Sequence, residues 1–369
     1  MNILIDVDSD DVRKGAVNDV LDLIRYCQDP DIKFYVSGKI SNQFNIIIDN
    51  LSGKTIKCRN ISLSYASLPE FIMNVVNWIH ILYKYKIDII HINYISWRPS
   101  LALAGKITGI PIVSRAGGDY DKNNFSIRWI SRYLANCEAQ AVNLLNSPIR
   151  DRVNIVGDLI NVDRMCTDNV VIPFNKESNT IYFIFLGQLV ERKGLHILIE
   201  AFERMKIKSK LLIIGGNWKD AGYPQEIKRK IIDCHLQDMI NIYDHRDDAI
   251  LFLKQSDVFV LPSLSEARPR SIIEAMLLGK CIVTTKVGGI PTLIEDNITG
   301  LLVPAADVES LAVALNNVAE SIELRNRLGG NARNYAKNKF DPRETAENYV
   351  EIYKILLKNK REKSICQMV

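Results

Sequence analysis

The fold class of this chain is clearest in the stretch TIYFIFLGQLVERKGLHILIEAF (residues 180–202). Its first part is rich in aromatic and β-branched residues, which predicts a buried strand that ends near Gly187. Its second part carries apolar residues at helical spacing, which predicts a helix after Gly194. Arg192 and Lys193 lie in the turn between the two. A strand that leads through a short turn into a helix is the repeating unit of a parallel α/β sheet.

The same alternation of strands and helices runs through both halves of the chain. A polar stretch with a proline, CTDNVVIPFNKESNT (166–180), interrupts it, so the sequence predicts two doubly wound domains rather than one. We assign residues 1–165 to an N-terminal Rossmann-like domain, 166–179 to a linker, 180–340 to a C-terminal Rossmann-like domain, and 341–369 to a helix that returns to the N-terminal domain and a basic tail. Predicted strands are 2–7, 32–37, 87–92, 110–115, 153–156, 180–187, 210–216, 257–263, 280–289 and 300–304.

Composition and charge exclude several classes of protein. The net charge is only +4 in 369 residues, which gives no sign of nucleic-acid binding. The start, MNILIDVDSDD, lacks a signal-peptide pattern, and the cysteines are scattered singly, so we expect a cytoplasmic protein with free thiols. The basic run KILLKNKREK (354–363) has two readings: a solvated helix end, or weak attachment to the anionic inner membrane surface.

A second stretch, SEARPRSIIEAM (265–276), concentrates charge where a helix begins. Pro269 suits the first turn of a helix, and the helix N-terminus there offers N–H groups to a phosphate. The stripe of Ile273, Met276 and Leu277 leaves Glu274 off the buried face. A carboxylate at this position suits paired sugar hydroxyls rather than a phosphate, because it accepts hydrogen bonds.

Loops that follow neighbouring parallel strands meet at one edge of the sheet, where α/β folds bind ligands. The loop after 180–187 carries Arg192 and Lys193, and the stretch KVGGIPTLI (286–294) supplies Gly288 and Gly289, where backbone can approach a ligand. Taken singly, Lys193 can be an ordinary exposed lysine and Gly288-Gly289 an ordinary tight turn. Taken together with the helix end near Arg270, they predict a diphosphate site.

These motifs carry a resemblance to a known family. G-x-L-x-x-x-K-G in 187–194, S-x-x-E followed by E-A-M in 263–276, the G-G-I-P of 288–291 and the G-L-L-V-P of 300–304 resemble the retaining GT-B glycosyltransferases of family 4. The resemblance covers residues 180–340 closely and the N-terminal half only in outline. It implies a GT-B fold, with two Rossmann-like doubly wound domains facing a central cleft.

The resemblance also implies roles for particular residues. Lys193 would neutralise the diphosphate leaving group, Glu266 would hold the donor sugar, and Glu274 would hold the ribose; Lys193 and Glu266 are thus the catalytic candidates. The donor would be a UDP- or GDP-linked sugar, held without metal or cofactor. The full set of donor-binding candidates is Gly187, Gln188, Arg192, Lys193, Arg268, Arg270, Ser271, Ile272, Glu274, Gly288 and Gly289.

Two departures from the family pattern affect this assignment. Gln188 stands where many members carry an arginine, and either Arg192 or Arg268 could compensate. Ala116 stands where many members carry a histidine, so no catalytic base is assigned. The acceptor-side candidates are Gly15, His91, Arg115 and Asp119, with a core histidine as the alternative for His91. The run DVDSDD (6–11) could hold a metal, but a solvated loop is the favoured reading.

The sequence therefore predicts a retaining, metal-independent glycosyltransferase. It would move a sugar to a hydroxyl of a glycan or lipid-linked glycan, in bacterial surface polysaccharide assembly. Gln188 and Ala116 leave one alternative open: a catalytically degenerate nucleotide-sugar-binding partner of another transferase. A periplasmic sugar-binding protein would share the two-domain plan but would require a signal peptide.

Overall fold

The structure, a computed structural model, describes residues 1–7, 15–38, 41–56, 67–93, 99–115, 128–165, 174–216 and 222–366. The chain forms two compact units. The first contains Met1–Leu159 and Asp341–Val369, and the second contains Ile160–Phe340. The chain thus enters the second unit a few residues before the predicted linker, most of which (166–173) lies outside the described residues.

The N-terminal unit is built on a parallel sheet with the described strand order β3-β2-β1-β4-β5-β6-β7. The strands are β1 (Asn2–Val7), β2 (Lys33–Gly38), β3 (Lys54–Ile56), β4 (Ile89–Ile92), β5 (Ile112–Arg115), β6 (Arg132–Ala135) and β7 (Val153–Ile155). The helices between them are α1 (Gly15–Tyr26), α2 (Asn42–Asn50), α3 (Leu68–Lys84), α4 (Pro99–Thr108) and α5 (Glu138–Leu145). The strand order reverses direction between β1 and β4, which makes the sheet doubly wound.

The C-terminal unit repeats this plan with the described order β10-β9-β8-β11-β12-β13, again parallel. Its strands are β8 (Ile181–Leu186), β9 (Ser209–Ile214), β10 (Ile240–Tyr243), β11 (Val258–Leu261), β12 (Cys281–Thr285) and β13 (Leu301–Val303). Its helices are α6 (Leu195–Phe202), α7 (Gly222–Asp233), α8 (Ala249–Gln255), α9 (Arg270–Leu277), α10 (Val308–Glu320) and α11 (Ile322–Lys339). The order reverses between β8 and β11, and this switch point locates the site described below.

The prediction of two doubly wound α/β domains is confirmed, with corrections to individual elements. The sequence did not predict β3, β6 or β10, and β12 ends at Thr285 rather than near Gly289. Asp6 was expected at the start of a solvated loop. It is instead buried in β1, where its Oδ1 accepts a hydrogen bond of 2.7 Å from the Ser37 hydroxyl; residues 8–11 of that run lie outside the described part of the chain.

The last helix, α12 (Pro342–Cys366), packs on the N-terminal unit. Its Tyr353 hydroxyl lies 2.8 Å from His91 Nδ1 on β4, and its Lys354 ammonium lies 2.6 Å from an Asp29 carboxylate oxygen. The Asp29 partner raises the pKa of Lys354. The first lysine of the basic run is therefore bound to the protein itself.

Within the described residues, no helix combines the length and the apolar character needed to cross a bilayer.

Candidate functional site

Three loops leave the carboxyl ends of β8, β11 and β12, which are adjacent strands of the second sheet. They are residues 187–194, 262–269 and 286–292. The first two flank the switch point between β8 and β11, where the crossovers lead away in opposite directions and leave a crevice. The sequence predicted that these loops share one sheet edge, and the strand order explains why they do.

Loops 187–194 and 262–269 are locked together by their backbones. The Leu264 N–H donates to the Arg192 carbonyl at 2.8 Å. Gly194 has a φ of +68°, and a Cβ added there would lie 2.0 Å from the Pro262 carbonyl oxygen. Only glycine accommodates both the left-handed backbone and this contact. The turn Glu191–Lys193, which is a short 3₁₀ helix, is thereby fixed against the loop after β11.

The two catalytic candidates contact each other directly. The Lys193 ammonium is hydrogen-bonded to Glu266 Oε1, and the Ser263 hydroxyl donates to the same oxygen at 2.9 Å. Arg192 Nη1 lies 3.7 Å from Glu266 Oε2. The Lys193 and Glu266 side chains are nearly buried, whereas half of Arg192 is exposed. The family resemblance implied separate roles for the two side chains, with Lys193 binding the diphosphate and Glu266 binding the donor sugar. In the structure the two side chains form one ion pair.

Burial lowers the pKa of the Lys193 ammonium, and the Glu266 carboxylate opposes that shift. A charged lysine this far from solvent is stable only beside a negative partner. An ammonium group can donate three hydrogen bonds, so the bond to Glu266 does not exhaust it. The Lys193 ammonium can therefore still donate to a bound anion, and its attraction for that anion is stronger in this desolvated site than in water, with the Glu266 carboxylate offsetting part of it.

Gly288 and Gly289 contact the backbone of Glu266. Gly288 has a φ of +51°, and a Cβ there would lie 1.6 Å from the Glu266 carbonyl oxygen. The Gly289 N–H lies 3.3 Å from that same oxygen. The close approach predicted for this glycine pair is thus made to the protein's own loop. Its effect is to hold Glu266 in place.

Helix α9 differs from its prediction at its start. Pro269 precedes the helix as its N-cap residue instead of occupying the first turn. The Ile272 N–H is bonded to the Pro269 carbonyl at 3.2 Å, so of the predicted backbone donors only Arg270 and Ser271 lie on the open first turn. Ile272, Ile273, Ala275 and Met276 are buried, and Leu277 is only half-buried. Glu274 is half-buried in the second turn, as expected for a residue off the core face.

The structure distinguishes the two arginines that could compensate for Gln188. Arg268 Nη1 is bonded to the Thr292 hydroxyl at 2.7 Å, and its guanidinium lies 5.8 Å from the Phe340 ring centre. Arg192 instead lies beside both Glu266 and Gln188, with Nη2 at 3.5 Å from Gln188 Oε1. Arg192 is therefore the better placed second cation, and Arg268 holds the loop 286–292.

The acceptor-side candidates lie in the N-terminal unit. Gly15 begins α1, and Arg115 ends β5, where its guanidinium forms an ion pair with Asp19 of α1. Among the described residues, Arg115 Nε and Nη1 are buried without a hydrogen-bond partner. Asp119, like Ala116, lies outside the described part of the chain. No sequence motif indicated Asp19, although its place in the first turns of α1 puts it near the same sheet edge.

His91 is a core residue. It is buried in β4, bonded to Tyr353, and its ring centre lies 6.0 Å from that of Tyr349 on α12. Burial, with a smaller effect from the Arg115 charge, lowers the pKa of His91 to about 3. A neutral histidine packed under α12 fits the alternative reading of this residue, and we do not retain it on the acceptor side.

In the ranges that the structure describes, no three His, Cys, Asp or Glu side chains come together in a metal-binding group.

The match to a known protein family lies within the C-terminal unit. Residues 169–335 match the family model of the glycosyl transferases group 1. An O-antigen chain mannosyltransferase C of Escherichia coli is 27% identical over 52% of this chain and 56% of its own length. A UDP-Gal:alpha-D-GlcNAc-diphosphoundecaprenol alpha-1,3-galactosyltransferase of the same species is 23% identical over 82% of this chain and 83% of its own length.

Among solved structures, Anabaena Alr3699/HepE in complex with UDP and glucose superposes with a TM-score of 0.80. The two chains are 19% identical, and the match covers 95% of this chain and 99% of that one. This likeness establishes the GT-B fold of two Rossmann-like α/β domains. The chain spans little more than half the length of the first relative named above.

Proposed function

We propose that this protein is a retaining, metal-independent glycosyltransferase of family 4. It moves a sugar from a nucleotide-diphosphate-sugar donor to a hydroxyl of a glycan or lipid-linked glycan acceptor, in the assembly of a bacterial surface polysaccharide. One observation carries the proposal: the buried Lys193–Glu266 pair, held by Ser263 and Gly288, at the switch point of the second sheet.

The proposed chemistry uses each half of this pair. The bond between the anomeric carbon and the diphosphate oxygen breaks, and its electron pair leaves with the diphosphate. The acceptor oxygen bonds to the same carbon and loses its proton, so the products are the glycoside, the nucleoside diphosphate and a proton. Lys193, assisted by Arg192, stabilises the charge that grows on the diphosphate. Glu266 accepts hydrogen bonds from the hydroxyls of the donor sugar and keeps Lys193 charged.

The remaining donor contacts follow from position on the same sheet edge. The first turn of α9, at Arg270 and Ser271, supplies backbone N–H groups to phosphate. Glu274 accepts from the ribose hydroxyls. Gly187 and Gln188 border the diphosphate at the end of β8. We therefore assign donor binding to the C-terminal unit. A solved structure of the same fold in complex with UDP and glucose supports a nucleotide-sugar as the donor.

The N-terminal unit is proposed to bind the acceptor, with the Arg115–Asp19 pair and the start of α1 at Gly15 at its binding edge. Two relatives support an acceptor of surface-glycan type. One is named for O-antigen chains and the other for a diphosphoundecaprenol substrate, which is lipid-linked. An acceptor of that kind would bring the protein to the cytoplasmic face of the inner membrane as a peripheral protein.

Calorimetry with bare UDP and GDP tests the donor site without knowledge of the sugar. We expect one of them to bind, and Glu274→Ala to weaken binding by about 2–4 kcal/mol because two hydrogen bonds to a charged acceptor are lost. Glu320→Ala, at an exposed helix end, is the control and should leave binding unchanged. Binding that is insensitive to Glu274→Ala would remove Glu274 from the site.

Release of nucleotide from UDP-glucose, UDP-galactose and GDP-mannose separates the enzyme from the degenerate alternative. A transferase hydrolyses its own donor slowly in the absence of an acceptor. A binding partner would take up UDP or GDP but release no nucleotide from any nucleotide-sugar.

A further inference from the structure

Helix α3 presents an unusually apolar face to solvent. Leu68, Ile72, Met73, Val76 and Tyr83 each expose more than half of their surface. We call these five residues the α3 stripe. Phe71, Val75, Trp78 and Leu82 fill the core of the N-terminal unit. By helical spacing most of the stripe lies on the side of α3 next to this buried face, so it is exposed apolar surface in addition to the face that the core covers.

Helix α11 serves as an internal comparison because it is a surface helix of nearly the same length. Helix α11 has 18 residues, of which six are charged, and it exposes Ile322 and Tyr335 as its large apolar side chains. Helix α3 has 17 residues, of which only Glu70 and Lys84 are charged. A solvated helix normally carries charge on its outer face. The α3 stripe therefore indicates a surface with a partner.

Among the described residues, exposed lysines gather at the Tyr83 end of the stripe. Helix α3 packs against α4, and both helices end at the amino edge of the sheet, where Lys84, Lys86 and Lys106 are exposed. The only acid on α3, Glu70, lies at the opposite end and accepts hydrogen bonds from the Ser67 N–H and hydroxyl. An apolar stripe ending in a basic cluster matches an anionic lipid surface, where side chains enter the acyl boundary and lysines meet phosphate headgroups.

The size of the stripe argues against a second copy of this chain as the partner. Five side chains on one helix offer on the order of 500 Å², whereas a stable protein interface buries about 800 Å² from each partner. A bilayer needs no matching shape and adds electrostatic attraction at the basic end.

We propose that the α3 stripe, with Lys84, Lys86 and Lys106, is the surface through which this protein docks on an anionic bilayer. The inference deepens the proposed function, since a lipid-linked acceptor is what would bring the protein to a membrane. It places the docking surface on α3 instead of the basic run at 354–363, whose Lys354 is bound to Asp29. Helix α3 leads into the amino end of β4, so it begins near the carboxyl edge that carries the acceptor-side residues.

Co-flotation with vesicles tests the proposal. The probes are pure phosphatidylcholine vesicles and vesicles of phosphatidylcholine with an equal amount of phosphatidylglycerol, without nucleotide-sugar. We expect the wild-type protein to prefer the anionic vesicles. The double variant Ile72→Gln/Val76→Gln should lose roughly tenfold or more in partitioning, because two apolar side chains no longer enter the bilayer. Lys84→Glu/Lys106→Glu should abolish the preference for phosphatidylglycerol.

Two matched controls keep the test specific. Val313→Gln/Ile322→Gln changes equally exposed apolar residues of the C-terminal unit and should leave flotation unchanged. Lys358→Glu/Arg361→Glu changes the basic run on α12 and should have only a small effect on flotation.

A fluorescence measurement tests insertion of the stripe directly. In Met73→Trp, the emission of the added indole should shift to the blue on vesicles and be quenched by brominated lipid.

Several outcomes would overturn the proposal: no flotation of the wild-type protein, loss of flotation only in the α12 variant, or a dimer in sedimentation that the Ile72→Gln/Val76→Gln variant dissociates. Nucleotide release from a donor, measured on the same variants, reports on the proposed transferase activity separately. Membrane docking and sugar transfer can therefore fail independently.

Discussion

At the scale of single residues, the site depends on how one lysine is kept charged while nearly buried. Lys193 and Glu266 lie 73 positions apart in the sequence, and their contact arises because β8 and β11 are neighbours in the sheet. That both residues reach one sheet edge could be predicted from strand order and motif. The direct bond could not, because it depends on how loops 187–194 and 262–269 pack. Ser263 had a sequence signal, since a serine three positions before a glutamate can reach its carboxylate.

Substitution of Lys193 tests this residue pair. We expect Lys193→Ala to lower turnover of a nucleotide-sugar roughly 10²–10³-fold, about 3–4 kcal/mol, with a smaller effect on nucleotide binding, because charge on the diphosphate grows as the bond breaks. Arg192→Ala should cost less, since Arg192 is half exposed and solvent screens its charge. Steady-state kinetics and calorimetry measure the two effects. Near wild-type turnover of Lys193→Ala, together with a large loss in Arg192→Ala, would reverse the assignment.

At the scale of elements, the long apolar runs were predictable and the short strands were not. Strands β8 and β11 are continuous apolar runs, as expected for strands buried on both faces, and β1 is apolar except for Asn2 and Asp6. Strands β3 and β6 have only three or four residues and include Lys54 or Arg132, so their pairing is set by the neighbouring strand rather than by composition. The docking of α12 on β4 through Tyr353 and His91 likewise joins residues that no local pattern connects.

That packing of α12 predicts a pH dependence of stability. In the unfolded chain His91 takes up a proton below about pH 6.5, whereas in the folded protein it stays neutral until the pH approaches 3. The contribution of His91 to the free energy of unfolding is therefore fully present above pH 6.5 and is lost as the pH falls toward 3. The loss at pH 5 is about 2 kcal/mol. Urea unfolding of wild type and His91→Gln at pH 7 and pH 5 measures it.

The difference between the two proteins should shrink at pH 5, because the variant has no imidazole to protonate. His80→Gln, which changes an exposed histidine on α3, should follow the wild type at both pH values. Equal acid sensitivity of wild type and His91→Gln would show that His91 is not held neutral by its packing.

At the scale of the whole molecule, the two units have like architecture, but the sequence allowed more detailed predictions for one than for the other. The C-terminal unit could be interpreted at residue level because its loop motifs, glycines and helix start all lie at one switch point. The N-terminal unit could be interpreted only as a fold, since its candidates were single residues. Of these, His91 belongs to the core, Arg115 pairs with Asp19, and Asp119 lies outside the described residues.

We expect the sugar to be transferred with retained anomeric configuration at a site whose cations are Lys193 and Arg192. Methanol offers a direct test, because it replaces an unknown acceptor and the methyl glycoside it forms does not change its anomeric configuration afterwards. The wild-type protein would be incubated with the α-linked nucleotide-sugar from which it releases nucleotide, in methanol–water, with and without EDTA. Proton NMR then reads the anomeric coupling of the product. We predict an α-methyl glycoside formed at the same rate in both samples. A β-methyl glycoside would rule out retention of configuration, and activity abolished by EDTA would rule out a metal-independent site.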